Sequence, residues 1–324
     1  MLARIIFQRN LSTKPIVVTR ETIQQIINPS EKYIDEFMVS YGKRPDFRRS
    51  DFKIWDQHPK SQRLFYTVKN SKKLILTYQH KYFQHLKNPS RELSFGGLLW
   101  IAPEYRGKAI FKIFQEDLFN QNILRRPFIA SALPASVNFV SKMFDGKINQ
   151  HFKYDVTYYK PEDLKIPTNL KVDGIRVVNF DESQSHNIVQ YDQAIFPYDR
   201  EKLMLANFSD PNNIVKIAYD SEGNVIGFGY LALFDSGVAI MYALYADNVN
   251  VTHAIFANIL TEAPMHRIKS FEIRQPDTSI KWTEPFVVNE QKKKHMATVI
   301  STENKIDFDM KKVYINSHPS CCPI

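Results

Sequence analysis

The chain has 324 residues, 44% of them apolar and 13% aromatic, with a formal net charge of +9; that is enough for two domains with real cores, and it excludes a disordered chain. Its longest apolar runs, such as residues 95–102 and 238–244, fall well short of the roughly 20 residues a membrane-spanning helix needs, so no membrane association is expected. The two cysteines, Cys321 and Cys322, are adjacent, which leaves no disulfide framework and no cysteine metal site.

Residues 1–20 carry Arg4, Arg9, Lys14 and Arg20 with no acidic residue, and Leu2, Ile5 and Ile6 can share one helix face. This composition reads either as a mitochondrial transit peptide or as a basic tail ahead of a first strand at Pro15–Val18. Mitochondrial location is one expectation and cytoplasmic the other. Residues 19–42 are polar and helix-forming. Residues 63–83 then predict a hairpin around the turn Lys69-Asn70-Ser71-Lys72, followed by a strand at 93–102, a short turn and a helix from about Arg106. A further strand, 128–133, a helix and a tyrosine-bearing strand (Tyr154, Tyr158, Tyr159) complete this part.

Prolines and charges interrupt the pattern at residues 160–174. The same order then returns: polar helical sequence at 181–208, a hairpin at 214–234 turning on Ser221-Glu222-Gly223-Asn224, and a strand at 237–246. A helix starting near Asp247-Asn248 and a strand at 270–275 follow. The repeat is one of order, with almost no shared side chains, and it predicts two copies of one α/β unit, residues 21–160 and 174–301, with a C-terminal extension at 302–324.

The strand-to-helix turn after Ala102 leaves the first helical amides without partners beside a positive dipole end, an arrangement that favours phosphate. Arg106, Lys108 and Lys112 add charge there. Ile101, Pro103, Tyr105, Arg106, Gly107 and Ile110 resemble the cofactor motif of the GNAT acetyltransferase superfamily, with Ala109 and Phe111 where that motif has glycines. The Phe111 ring must either turn into the core or fill space that a pyrophosphate would use. Asn138 stands at the family's second signature asparagine. Tyr198-Asp199-Arg200 and Ala243-Leu244-Tyr245-Ala246-Asp247 are similar to segments of the tandem GNAT type called YitH/HolE-like, a domain pair also resembling that of nematode proteins.

The resemblance covers about residues 16–300. It implies tandem α/β (α+β) domains, each a mixed, mainly antiparallel sheet flanked by helices. The implied activity is direct transfer of an acyl group from acetyl-CoA or another acyl-CoA to the amine of a small molecule or peptide. Arg106, Gly107, Lys108, Ala109 and Ile110 are the expected cofactor-binding residues, and Asp199 and Arg200 the expected acceptor-binding pair. No catalytic residue is assigned: the strand at 93–102 has no carboxylate, and the family's tyrosine position falls on Asp145. Tyr242, Tyr245, Asp247 and His253 group around the second unit's third strand, with Asp247 expected as a helix cap. The alternative is an inactive GNAT-like binding protein for a metabolite or a protein partner.

Other chemistry lacks its motif. No His-x-x-x-His pair with a nearby glutamate, Gly-x-Ser-x-Gly elbow or P-loop occurs, and no metal is expected. Lys292-Lys293-Lys294 has no interleaved aromatic residues, so nucleic acid is not expected as a partner.

Overall fold

The computed structural model describes residues 18–42, 47–107, 109–277, 281–289, 291, 293–305 and 307–316. The first unit runs β1 (Ile23–Ile27), α1 (Glu31–Tyr41), α2 (Arg49–Trp55), β2 (Ser61–Val68), β3 (Leu74–Gln84), β4 (Glu92–Ile101), α3 (Ile110–Asn120), β5 (Phe128–Ala132), α4 (Val137–Met143) and β6 (Asn149–Tyr159). The second runs β7 (Arg176–Asn179), α5 (Ser185–Ile195), α6 (Glu201–Phe208), β8 (Asn213–Tyr219), β9 (Val225–Leu233), β10 (Val238–Ala246), α7 (Val249–Glu262) and β11 (Ser270–Pro276). Two more strands follow, β12 (Lys294–Ser301) and β13 (Val313–Asn316).

The order repeats as the sequence predicts, and the local chemistry explains why. At the second hairpin, the Asp220 carboxylate accepts from the amides of Glu222 and Asn224 at 3.0 and 2.8 Å, closing the turn from one side chain. The Asn248 side chain caps α7 by accepting from the amides of Asn250 and Val251. Two details differ from expectation. Residues 23–27 form a strand: Ile23 is buried while Gln24 lies exposed, and the segment completes the edge beside β2. Helix α3 begins at Ile110, because Pro103–Tyr105 first makes a 3-10 turn. Residues 15–17 of the expected first strand, Pro15–Val18, and residues 1–17 of the basic leader lie outside the described residues. Val18 is buried, and Arg20 bonds Asp117 at 2.5 Å and Glu116 at 3.1 Å on α3.

The thirteen described strands form one sheet in the order β1-β2-β3-β4-β5-β12-β6-β11-β10-β9-β8-β7, with β13 against β10. Only β4/β5 and β10/β11 are parallel among the pairings of the described residues. Hydrogen bonding crosses the chain-order boundary at 160–174. Strand β6 of the first unit pairs with β11 of the second, and β12, from the C-terminal end of the predicted second unit, lies between β5 and β6. Each half therefore completes the other's sheet. Helices α3 and α4 pack on one face of the first half, over a core that includes Tyr78, Phe114, Phe128 and Ile300. On the opposite face, α1 and α2 join α5 and α6 in a shared aromatic core.

A slot through the sheet between β4 and β5

Two departures from regular pairing open the first half. Strands β4 and β5 are bonded only from Ser94–Gly96 to Phe128–Ala130. Further along β4, Leu98 takes φ +51° and the register against β3 shifts between Thr77 and Gln79. A leucine in the left-handed region is strained, and such strain is held only where the surroundings fix it. Here the Thr77 hydroxyl donates to the Leu98 carbonyl at 3.0 Å.

The result is a slot of about 170 Å³. Gly97, Leu98 and Leu99 of β4 line one side, and Ala130, Ser131 and Ala132 of β5 the other. Val140 and Met143 of α4 approach from one face of the sheet, Tyr41 of α1 from the opposite face, and Met296 and Ala297 of β12 close the far wall. Because lining residues come from both faces, the slot passes between the strands rather than resting on the sheet. Its walls are largely apolar, and Tyr78 is among the residues that line it.

The strand that edges the slot leads directly into the basic turn. Arg106 is exposed and its Nε donates to the Ile101 carbonyl at 3.0 Å. Gly107 has φ +74°, with open space where a side chain would stand. Ala109 occupies the N-cap position of α3 without a side-chain hydrogen bond, so the helix offers uncapped amides of the kind that bind phosphate. Ile110 is fully buried, which leaves only its backbone for a ligand. Lys108 lies outside the described residues. Phe111 turns onto the core, packing near Phe114 with ring centroids 6.1 Å apart. Asp117 anchors the same helix to β2 by accepting from the Tyr66 hydroxyl at 2.9 Å.

The other expected residues are not brought to the slot. Arg200 is buried and gives both Nε and Nη2 to the Asp192 carboxylate at 2.9 and 2.5 Å, with its guanidinium over the Phe196 ring at 4.6 Å. Asp199 beside it is exposed. The geometry makes Arg200 a structural partner of Asp192, and truncating it strands a buried carboxylate. Arg200→Met is expected to destabilise the fold by about 3–5 kcal/mol, and Asp192→Leu/Arg200→Met by less; urea midpoints measure both. An unchanged midpoint in the single variant would contradict this role. Tyr154 and Tyr159 are buried in different cores and Tyr158 is exposed. Asp247 is not the cap of α7, which is Asn248; it pairs with Lys312 at 2.8 Å and accepts from Tyr191 at 3.0 Å. His253 Nε2 donates to the Trp282 carbonyl at 2.9 Å. Asn138 is exposed on α4.

In the second half, β10 pairs with β11 only from Val238 to Met241, so the two strands part as β4 and β5 do. The space that follows is taken by β13, whose Val313–Asn316 pair with Ala243–Tyr245. Val313, Tyr314 and Ile315 are all buried. One half has an open slot, and the C-terminal segment fills the corresponding gap in the other.

Paired strands that part beside a helix N-terminus, written twice in one sheet, define a tandem fold of the GNAT acetyltransferase superfamily, and residues 188–314 match the family model described as Acetyltransferase (GNAT) domain. The chain belongs to the family described as Protein of unknown function (DUF1248), whose model matches residues 20–195, more than half its length. Among solved structures, it is similar to a proposed acetyltransferase from Pyrococcus horikoshii, at 14% identity and a TM-score of 0.65, covering 98% of this chain and 100% of that one. It is also similar to a tandem GNAT protein from the clavulanic acid biosynthesis pathway (8% identity, TM-score 0.56, 88% and 100% covered). A third likeness is to Saccharomyces cerevisiae N-myristoyltransferase, solved with myristoyl-CoA (11% identity, TM-score 0.58, 95% and 86% covered). At these identities the likeness is one of fold. No curated protein matches the chain in sequence.

Proposed function

We propose that the first half binds acetyl-CoA or another acyl-CoA along the slot and turn, and that the protein transfers the acyl group directly to the amine of a small molecule or peptide. The observation that carries this reading is the continuity of the two features on one strand: the slot edged by Gly97–Leu99 runs into the uncapped, basic start of α3. The backbone of residues 106–110 and the Arg106 guanidinium hold the diphosphate; the apolar walls take the arm that bears the thioester. The bound co-substrate supplies the activated acyl group, and the chain's own part is to orient it and exclude water. The second half, its gap filled by β13, serves as scaffold. Residues 1–20 act as a mitochondrial leader in the same reading, which imaging of a tagged chain with and without them tests.

At about 100 times its dissociation constant, acetyl-CoA is expected to stabilise the fold by roughly 2.7 kcal/mol, read as a rise in Tm. Ala132→Trp, which fills the slot, is expected to abolish the rise. Free CoA release in the presence of candidate amines then measures transfer. A second reading has one observation in its favour: no carboxylate, histidine or lysine is among the described residues lining the slot, so no side chain there is an obvious base. On that reading the protein binds an acyl-CoA or another metabolite without turnover, and the Tm rise appears with no release of CoA.

A further inference from the structure

The polar lining of the slot includes one side chain whose hydrogen-bonding capacity is unused. Tyr78 of β3, one of the residues that line the slot, is 4% exposed, and its Oη has no hydrogen-bond partner among the described residues. A buried hydroxyl left unpaired costs about 1–3 kcal/mol, so native structures rarely hold one without a use. The backbone opposite is shaped to receive it. A Cβ on Gly96 would lie 2.6 Å from that Oη and 2.6 Å from the Phe128 ring. Glycine inside a strand weakens it and marks close approach, and here it gives the hydroxyl a seat on the wall of β4 just before β4 and β5 part.

We propose that the Tyr78 hydroxyl is a hydrogen-bond donor to a carbonyl oxygen of the acyl-pantetheine arm in the slot, a specificity contact that the motif residues 106–110 do not provide. The inference rests on the acyl-CoA reading above and deepens it. A phenol is chemically suited to this contact, because it both donates and accepts, and a carbonyl, which only accepts, takes its proton end. Burial raises the pKa of this hydroxyl above the ordinary tyrosine value, with a smaller contribution from Tyr82, so the donor keeps its proton at neutral pH. The surrounding walls are apolar, and in such surroundings a ligand carbonyl left without a donor is penalised as the hydroxyl itself is.

The test compares Tyr78→Phe with Tyr66→Phe by Tm without ligand and by titration with acetyl-CoA and with free CoA. Tyr66 lies on the neighbouring strand and donates to Asp117, so its replacement is expected to lower the Tm while leaving ligand affinity intact. Tyr78→Phe is expected to do the reverse: an unchanged or higher Tm, since no protein bond is lost, and affinity about tenfold weaker. Weakening for acetyl-CoA alone assigns the contact to the thioester carbonyl; equal weakening for free CoA assigns it to an amide of the arm. Either supports the inference. Wild-type affinity in Tyr78→Phe for both ligands overturns it and leaves the acyl-CoA reading standing, whereas a wild-type chain that binds neither ligand overturns both.

Discussion

A chain ended after residue 291 is expected not to fold. The missing segment is short, yet it carries two strands that complete both halves. Without β12, the edges of β5 and β6 lose their partners along Ile129–Ala132 and Asn149–Val156, and two long unpaired edges invite aggregation. Val299, Ile300, Val313, Tyr314 and Ile315 are each at most 4% exposed. Burying a large apolar side chain stabilises by roughly 1.5–3 kcal/mol, so their combined loss is on the order of 10 kcal/mol, against a total stability of about 5–15 kcal/mol for an ordinary domain. The expected result is insoluble or unfolded protein, with no cooperative thermal transition by circular dichroism. A chain ended after residue 305 keeps β12 and loses only β13; it is expected to fold with a lower Tm and faster amide exchange at Ala243–Tyr245, whose strand partner is gone. Should the shorter chain melt cooperatively near the full-length Tm, the two halves do not depend on each other's strands.

That dependence also explains which parts of the molecule could be read from sequence. Hairpins, α7 and the repeated order were legible because their causes are local: Asp220 closes a turn over four residues, and Asn248 caps a helix three residues away. The phosphate turn was legible for the same reason, as was the choice facing Phe111. The slot was not. It arises where Leu98 enters the left-handed region and where β12 pairs with β5 from about 170 residues further on and supplies Met296 and Ala297; no local pattern records either event. Strand β1 was hidden by Gln24 and Gln25, which read as polar helix until β2 pairs with them. One signal was present and went unused. The Gly96-Gly97 pair sits inside an otherwise apolar strand, where glycine has little reason to occur unless another group must come close, and Tyr78 is that group. For Arg200 the dipeptide was visible, but its partner Asp192 lies a full helix segment earlier, so the sequence could not separate an ion pair from a ligand contact.

Mild acid is expected to destabilise the protein strongly, through two histidines. His58 is 5% exposed and His80 fully buried; burial pushes both down to about 4, with Lys81 adding to the effect at His58 and Arg126 at His80. His80 has no hydrogen-bond partner at either ring nitrogen among the described residues, which gives a proton nothing to stabilise it inside. The sign follows from proton linkage. An unfolded histidine titrates near 6.5, so between that value and about 4 the unfolded chain takes up protons that the folded chain refuses, and stability falls as pH falls. Each group contributes a loss on the order of 3 kcal/mol across that window, together a large share of a typical total. Asp51 acts in the opposite direction, because desolvation raises its folded pKa despite Arg48. Urea midpoints should therefore hold steady above about pH 7 and drop steeply between about 6.5 and 4. His80→Phe, similar in shape and without a titrating group, should flatten roughly half of that slope. A midpoint independent of pH across the window would show that both rings accept protons in place, and with it that water reaches the interior beside β3.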